Sequence, residues 1–333
     1  MLPKLIKTDQ TAYVANRFKG ECARLIADIL EVTKEFEIDG LLVAIDIEKA
    51  FDSMDHEFLF AVLKKYGFGA SFIKWIKVIL EKQESCVFNG GISTGYFPLK
   101  RGARQGDPIS AYIFILVLEI LFIGIRENEN IKGIKIFDDI YKLSAYADDT
   151  TFFLNDEKSV ENLIKSFDMF SKYSGLKLNS SKCEICSIGA KRGEYVALCG
   201  MKSIDLVSES IKILGIHYSY NERVRNENNY LQIMQTIDTI VKVWKMRNLT
   251  LLGKVTILKT LIFSKIVFLS FLTSVPTIII EHLEEMQKDF LWDGKRAKIS
   301  HKTLVGPYEE GGLKSVDIKS KIESLQLSWI TRL

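Results

Sequence analysis

With 333 residues, 47% hydrophobic and 26% charged, the chain has a globular composition and a core large enough for two or three subdomains. It holds no internal repeat, low-complexity tract or proline-rich linker, which excludes repeat arrays and disordered tethers. Its net charge of +3 is uneven: residues 241–333 carry 15 Lys and Arg against 9 Asp and Glu, or +6, leaving −3 for the rest. Such a basic end suits a nucleic-acid backbone or an ordinary solvated face equally well.

In chain order, residues 17–35 read as an amphipathic helix, and the apolar run 41–45 reads as a short buried strand ending at Asp46. Helices follow over 56–66 and 72–82, then strands near Cys86 and Phe97. Arg101 to Ser110 is a Gly- and Pro-containing loop before the apolar run 111–125, with Ser110 expected as N-cap and Glu119 as the run's sole charge. Two strands, 140–145 and 150–154, flank Tyr146-Ala147-Asp148-Asp149. Residues 158–173 place Val160, Leu163, Ile164, Phe167 and Phe170 on one helical stripe. From about Asn226 the pattern is helical, with breaks near Pro276 and at 293–295.

Two adjacent carboxylates at a hairpin tip repel each other and cost desolvation energy, so a fold that keeps them commonly binds a cation there. Asp46 at a neighbouring strand end would face Asp148 across a gap suited to two divalent ions about 3.5–4 Å apart. Carboxylate oxygens suit Mg²⁺, which takes one or two of them and fills its shell with water and substrate phosphate. The competing roles are a solvated Asp turn and, for Asp46, a cap on the next helix. Loop amides, Gln105, Arg101 and Arg104 converge near a helix start, a natural cradle for a nucleotide.

Five cysteines need a role. Cys183 and Cys186 have zinc-like spacing, with Cys199 and His217 downstream, but they fall on a strand where they would face opposite ways. Free thiols in a reducing compartment are the expectation, and with no secretory leader in view the chain is expected to be intracellular, in nucleus or cytoplasm, and not secreted. Residues 109–125 are short for a membrane span, and 261–280 are interrupted by Lys265 and Pro276, so both are expected to be buried helices with no membrane partner.

Taken together, these motifs resemble the reverse transcriptases of non-LTR (LINE-type) retrotransposons and, more distantly, those of group II introns. Gln10 to Val14 with Arg17 is similar to the family's fingers motif, and Asp46 to Asp52 to its first palm motif. Residues 104–110 resemble its nucleotide loop, 146–149 its metal-binding hairpin, Gly175 to Asn179 with Lys182 the motif after it, and Leu214 to Ile216 the primer-gripping hairpin. Trp244 to Leu249, Leu252 to Lys254, Phe290 to Trp292 and Gly311 to Leu313 resemble the LINE-type thumb.

The resemblance implies an α+β right-hand polymerase, its palm an antiparallel sheet backed by helices. Partial fingers would span 1–40, the palm with nucleotide loop and catalytic hairpin 41–225, and a helical thumb with the start of a connection 226–333. It implies an RNA-directed DNA polymerase with an RNA template, a DNA primer and deoxynucleoside triphosphates. Two Mg²⁺ ions, replaceable by Mn²⁺, would sit on Asp46 and Asp148, with Asp149 as a weaker ligand. Phe51 would exclude the ribose 2′-hydroxyl; Arg17 and Arg104 would meet the triphosphate, Gln105 and Gly106 the nucleotide, and Lys182 would serve as general acid.

Ala111 and Ala12 depart from the family's usual proline and glycine, and by this resemblance the sequence is expected to open within the fingers, short of the earlier strands and of the endonuclease domain that LINE elements carry. Two other readings stay open here: an inactive descendant that binds RNA or protein, and a palm-fold nucleotidyl cyclase, which would need neither thumb nor Gln105 loop.

Overall fold

The computed structural model describes residues 2–194, 196 and 198–332. They form two compact units, Met1–Leu214 and Gly215–Leu333.

The first unit is built on one five-stranded sheet. Gly40–Ile45 lies at its centre, between Glu184–Ile188 on one side and Asp149–Leu154 on the other. Leu143–Tyr146 follows at one edge and the two-residue strand Lys202–Ser203 at the other. All pairings are antiparallel except that of Lys202–Ser203. The central strand Gly40–Ile45 reads as an unbroken apolar run because both its faces are covered. Leu41, Val43, Ile45, Phe152 and Leu154 join a core with helices His56–Lys65, Ser110–Glu127 and Glu157–Ser174. Their neighbours Leu42, Phe153 and Cys186 are 0% exposed on the face where helix Lys19–Glu35 packs. Burying each such phenylalanine contributes about 1.5–3 kcal/mol.

Several expected boundaries move. The strand expected over 140–145 is broken at Lys142: Asp139–Tyr141 pairs with Ile134–Ile136, and only Leu143–Tyr146 joins the main sheet. The Lys142 ammonium, pushed below its usual pKa by burial, donates to the carbonyls of Arg126 (2.8 Å) and Asn128 (3.1 Å), closing the end of helix Ser110–Glu127. Ser110 is not the N-cap but the first helical residue, and is buried; Ile109 precedes it, its N–H bonded to the Asp107 carboxylate at 3.0 Å. Glu119 is fully buried and paired with Arg126 at 2.7 Å; Arg126 also grips Asp9 with two further bonds.

The second unit is mainly helical: Glu222–Lys245, Leu251–Leu272, Thr277–Trp292 and Ile318–Leu327 surround a core containing Ile237, Leu258, Ile262, Leu283 and Phe290. Leu251–Leu272 is long and apolar enough to cross a membrane. It starts ten residues before the expected run and ends ahead of Pro276, a π-turn at Leu258–Phe263 joining its halves. Val255, Leu258, Ile262 and Ile266 turn one of its faces into that core.

Candidate active site

Asp46 follows the last residue of the central strand and caps no helix; Lys49 and Asp55 precede the next two helices. Its backbone is held on both sides. The amide reaches Cys183 Sγ at 3.5 Å, and the carbonyl accepts the Asn179 N–H at 2.9 Å. Gly175 lets the Asn179 segment approach: its φ is +77°, and a Cβ there would lie 2.4 Å from the Ser53 carbonyl. A second bond, from Glu48 N to the Lys177 carbonyl at 2.8 Å, extends the pairing.

On the adjoining strand, Ile45 pairs with Thr150, so the residues just beyond are Asp46 and Asp149. Tyr146 pairs with Asp149 across a two-residue turn of Ala147 and Asp148, in which Ala147 has φ +57°. Burial, and then the Asp46 negative charge, hold the Asp148 carboxyl above the usual carboxylate range. Asp149 is raised by burial and by Asp148, against the opposing pull of Lys19. Three acids thus crowd one end of the sheet, and each would be relieved by a cation. No group of three or more His, Cys, Asp and Glu is arranged to hold a metal among the described residues. The pair Asp46 and Asp148 still matches what Mg²⁺ asks of a protein, one or two carboxylates with the remaining sites left to water and phosphate.

Asp148 also borders a cavity of about 520 Å³, lined by Tyr13, Phe51, Gln105, Gly106, Asp107, Pro108, Ser110, Ala111, Tyr112 and Asp148. Its floor and its loop are joined by backbone bonds. Ala103 N–H donates to the Phe51 carbonyl and Gly102 N–H to the Met54 carbonyl, each at 2.8 Å. His56 Nε2 lies 2.7 Å from the Gly102 carbonyl. Gly102 is required there, with φ +77° and room for a Cβ only 2.7 Å from the Asp52 backbone.

Of the residues expected at the site, Phe51, Gln105, Gly106 and Asp148 meet in this cavity, with Asp46 and Asp149 coupled to it through charge. Arg17, Arg104 and Lys182 do not line it. Arg17 donates to the carbonyls of Lys7 (2.5 Å), Gln10 (2.7 Å) and Ile6 (3.1 Å), buckling its own segment. Arg104 is exposed and bonds the Glu84 carbonyl at 2.8 Å, and Lys182 is exposed in the turn before Glu184–Ile188. Sequence reasoning missed Tyr13, Tyr112 and Lys19. Tyr13, at φ +57° and 47% exposed, stands beside Tyr112 and Tyr146, ring centroids 6.5 and 6.4 Å away. An aromatic four residues before Arg17 is the only trace of this in the chain.

Carboxylates on adjoining strand ends, above a nucleotide-sized cavity closed by a helix-start loop, define a polymerase palm. Residues 5–218 match the family described as reverse transcriptase (RNA-dependent DNA polymerase), and the chain belongs to that family. Its members generally use divalent metal ions.

Among curated relatives, the chain is 27% identical over its whole length to the Transposon TX1 uncharacterized 149 kDa protein of Xenopus laevis, covering 25% of that protein. It is 29% identical over 191 residues, 54% of the chain, to the Retrovirus-related Pol polyprotein from type-2 retrotransposable element R2DM of Drosophila melanogaster, covering 18% of it. The chain therefore spans about a quarter or less of the length of these relatives, and the resemblance to non-LTR retrotransposon proteins is borne out. A structure of telomerase from Candida albicans with the TWJ fragment of telomeric RNA shares the fold, with TM-score 0.51 and 9% identity over 93% of this chain and 48% of that one.

Proposed function

We propose that this chain is the polymerase portion of a non-LTR retrotransposon protein, an RNA-directed DNA polymerase that extends a DNA primer on an RNA template with deoxynucleoside triphosphates. The observation that carries the reading is the cavity that Asp148, Phe51, Gln105 and Gly106 share. Asp46 and Asp148 would hold two Mg²⁺ ions, which when bound would activate the primer 3′-hydroxyl and neutralise the nucleotide phosphates.

The chain's own groups do the rest. The Phe51 ring, backed by Phe114, sets the depth available beneath the sugar. Gln105 and the Gly106 amide offer a side-chain amide and a backbone N–H to the incoming nucleotide. Arg104, on the same exposed loop, would supply positive charge for the triphosphate. Tyr13 and Tyr112 wall the cavity with aromatic surface on which a base could stack.

The test is extension of an oligo(dT) primer on poly(rA) by the purified chain with dTTP and Mg²⁺. Incorporation that needs both template and metal is expected. A chain that binds the primer–template but adds no nucleotide in Mg²⁺ or Mn²⁺ would favour an RNA-binding descendant instead.

A further inference from the structure

Asp148 sits on the two-residue turn that closes the Tyr146–Asp149 pair, and the residue before it is strained. Its neighbour Ala147 is in the left-handed region at φ +57°, which costs a residue with a Cβ about 1–2 kcal/mol. Besides the hairpin pairing that flanks it, this turn is bonded by a side chain from the amino-terminal segment.

Gln10 is 0% exposed, and its side-chain amide is spent on that turn. Oε1 accepts the Ala147 N–H at 3.0 Å and the Ala12 N–H at 2.9 Å, while Nε2 donates toward the Ala147 carbonyl at 3.4 Å. Both backbone groups of the strained residue thus meet one side chain. The segment carrying Gln10 is itself fastened. Thr11 N–H donates to the Ala145 carbonyl at 2.9 Å, Ala145 N–H to the Asp9 carbonyl at 2.8 Å, and the Arg17 guanidinium to the Gln10 carbonyl at 2.7 Å. Residues 9–11 therefore act as an extra strand on the edge of the sheet, and Gln10 reaches past its end to the turn.

We propose that Gln10 is the positioning residue of the metal-binding turn, setting where the Asp148 carboxylate stands relative to Asp46. The inference rests on the polymerase reading above for its kinetic consequence, but not for its consequence in metal binding. Gln10 touches neither substrate nor ion, so its loss acts on the rate of the chemical step and on metal affinity, with primer–template binding untouched. A displacement of the order of 1 Å in such a group costs about a hundredfold in rate.

Two substitutions separate the clamp from simple packing. Gln10→Asn keeps a buried amide able to bond Ala12 N–H two residues on, as Asn does in turns, but is one methylene too short to serve Ala147 as well. Gln10→Glu keeps an oxygen at full reach for both N–H groups and gives up only the long Nε2 bond to the Ala147 carbonyl. The readouts are kcat and KM for dTTP, primer–template Kd, thermal midpoint, and binding of Mn²⁺ to the protein alone by electron paramagnetic resonance.

The expected result for Gln10→Asn is a kcat lower by about tenfold to a hundredfold and weaker Mn²⁺ binding. Its primer–template Kd and its KM for dTTP should stay within about twofold of the parent, and Gln10→Glu should lie closer to the parent in both kcat and Mn²⁺ affinity. Parental kcat and Mn²⁺ affinity in Gln10→Asn overturn the proposal, as does an equal loss in Asn and Glu variants that tracks their thermal midpoints. If the parent extends no primer while its Mn²⁺ binding still depends on Gln10, the polymerase reading fails and the clamp stands. If the parent polymerises and Gln10→Asn matches it in both readouts, the clamp fails and the polymerase stands.

Discussion

Phe51 stacks on Phe114 with ring centroids 4.6 Å apart and planes inclined by 28°. One face of Phe51 is thereby fixed on the core while the residue lines the cavity beside Asp148. On the proposed reading, shape alone would discriminate against an added 2′-hydroxyl. Phe51→Val should raise the efficiency of ribonucleotide relative to deoxynucleotide incorporation by about tenfold or more, at a stability cost of about 1–2 kcal/mol for the lost ring contact. Single-nucleotide extension with dTTP and UTP checks it; an unchanged ratio would assign sugar selection elsewhere.

Asp148→Asn should lower primer extension by about a thousandfold, the scale of several kcal/mol of lost charge stabilisation. The fold should not suffer, because the substitution removes a charge from a repelling group and leaves no void. Circular dichroism and primer extension on one preparation read both effects. Extension at the parental rate would remove Asp148 from the metal site.

The same group makes a pH signature. Asp148 and Asp149 are raised above the ordinary carboxylate value in the folded chain, each chiefly by burial. The native state therefore holds their protons more tightly than the unfolded state, and stability falls as pH rises from about 4 through those raised values. Without metal, Asp148→Asn should gain thermal midpoint on the parent as pH goes from 4.5 to 7.5, and added Mg²⁺ should narrow the gap. A difference between the two proteins that stays flat with pH would show that the repulsion is relaxed by solvent.

Gly102→Ala tests the loop. With φ +77° and the Asp52 backbone 2.7 Å from the new Cβ, the loop must shift, costing about 1–3 kcal/mol and moving Gln105. The expected kinetic mark is a KM for dTTP raised several-fold. His56→Ala, which removes the partner of the Gly102 carbonyl, should move KM the same way with a smaller loss of stability. A KM unchanged in both variants would show that the loop seats itself independently of these anchors.

Arg126→Met should be among the costliest single changes in the first unit. It leaves Glu119, 0% exposed, without its cation and frees Asp9, and breaking a buried pair from one side costs about 3–5 kcal/mol. Burial already pushes the Glu119 carboxyl up against the downward pull of Arg126. Glu119→Gln should therefore cost clearly less than Arg126→Met in urea denaturation, and equal costs would show that the pair contributes as packing alone.

The palm and the position of its acids were legible because carboxylates at the ends of apolar strands are expensive and hence informative. Asp46 and the 146–149 turn fall where strand length and turn spacing put them. The edges of elements were not legible. A run of apolar residues does not say where a ladder breaks, and the break at Lys142 is set by its reach to the carbonyls of Arg126 and Asn128. Ser110 looked like a cap because a hydroxyl before an apolar helix usually is one, yet the Asp107 carboxylate takes the N–H at that turn. Gln10 gave the least warning: its partner lies 137 residues away, and no local pattern encodes a bond of that span.

That span orders events in time. Ala147 follows Gln10 off the ribosome by 137 residues, roughly 7–27 s at about 5–20 residues per second. Until then the amino-terminal segment has no strand to join, and the Leu143–Tyr146 edge, once made, offers open hydrogen-bonding groups to any passing chain until Asp9 to Thr11 cover it. The turn bearing Asp148 is thus fastened only when the two ends of this long loop meet. A slowly folding or destabilised variant would accumulate with its sheet formed, its edge unprotected and its Asp148 turn adrift, prone to aggregation and inactive for one and the same cause.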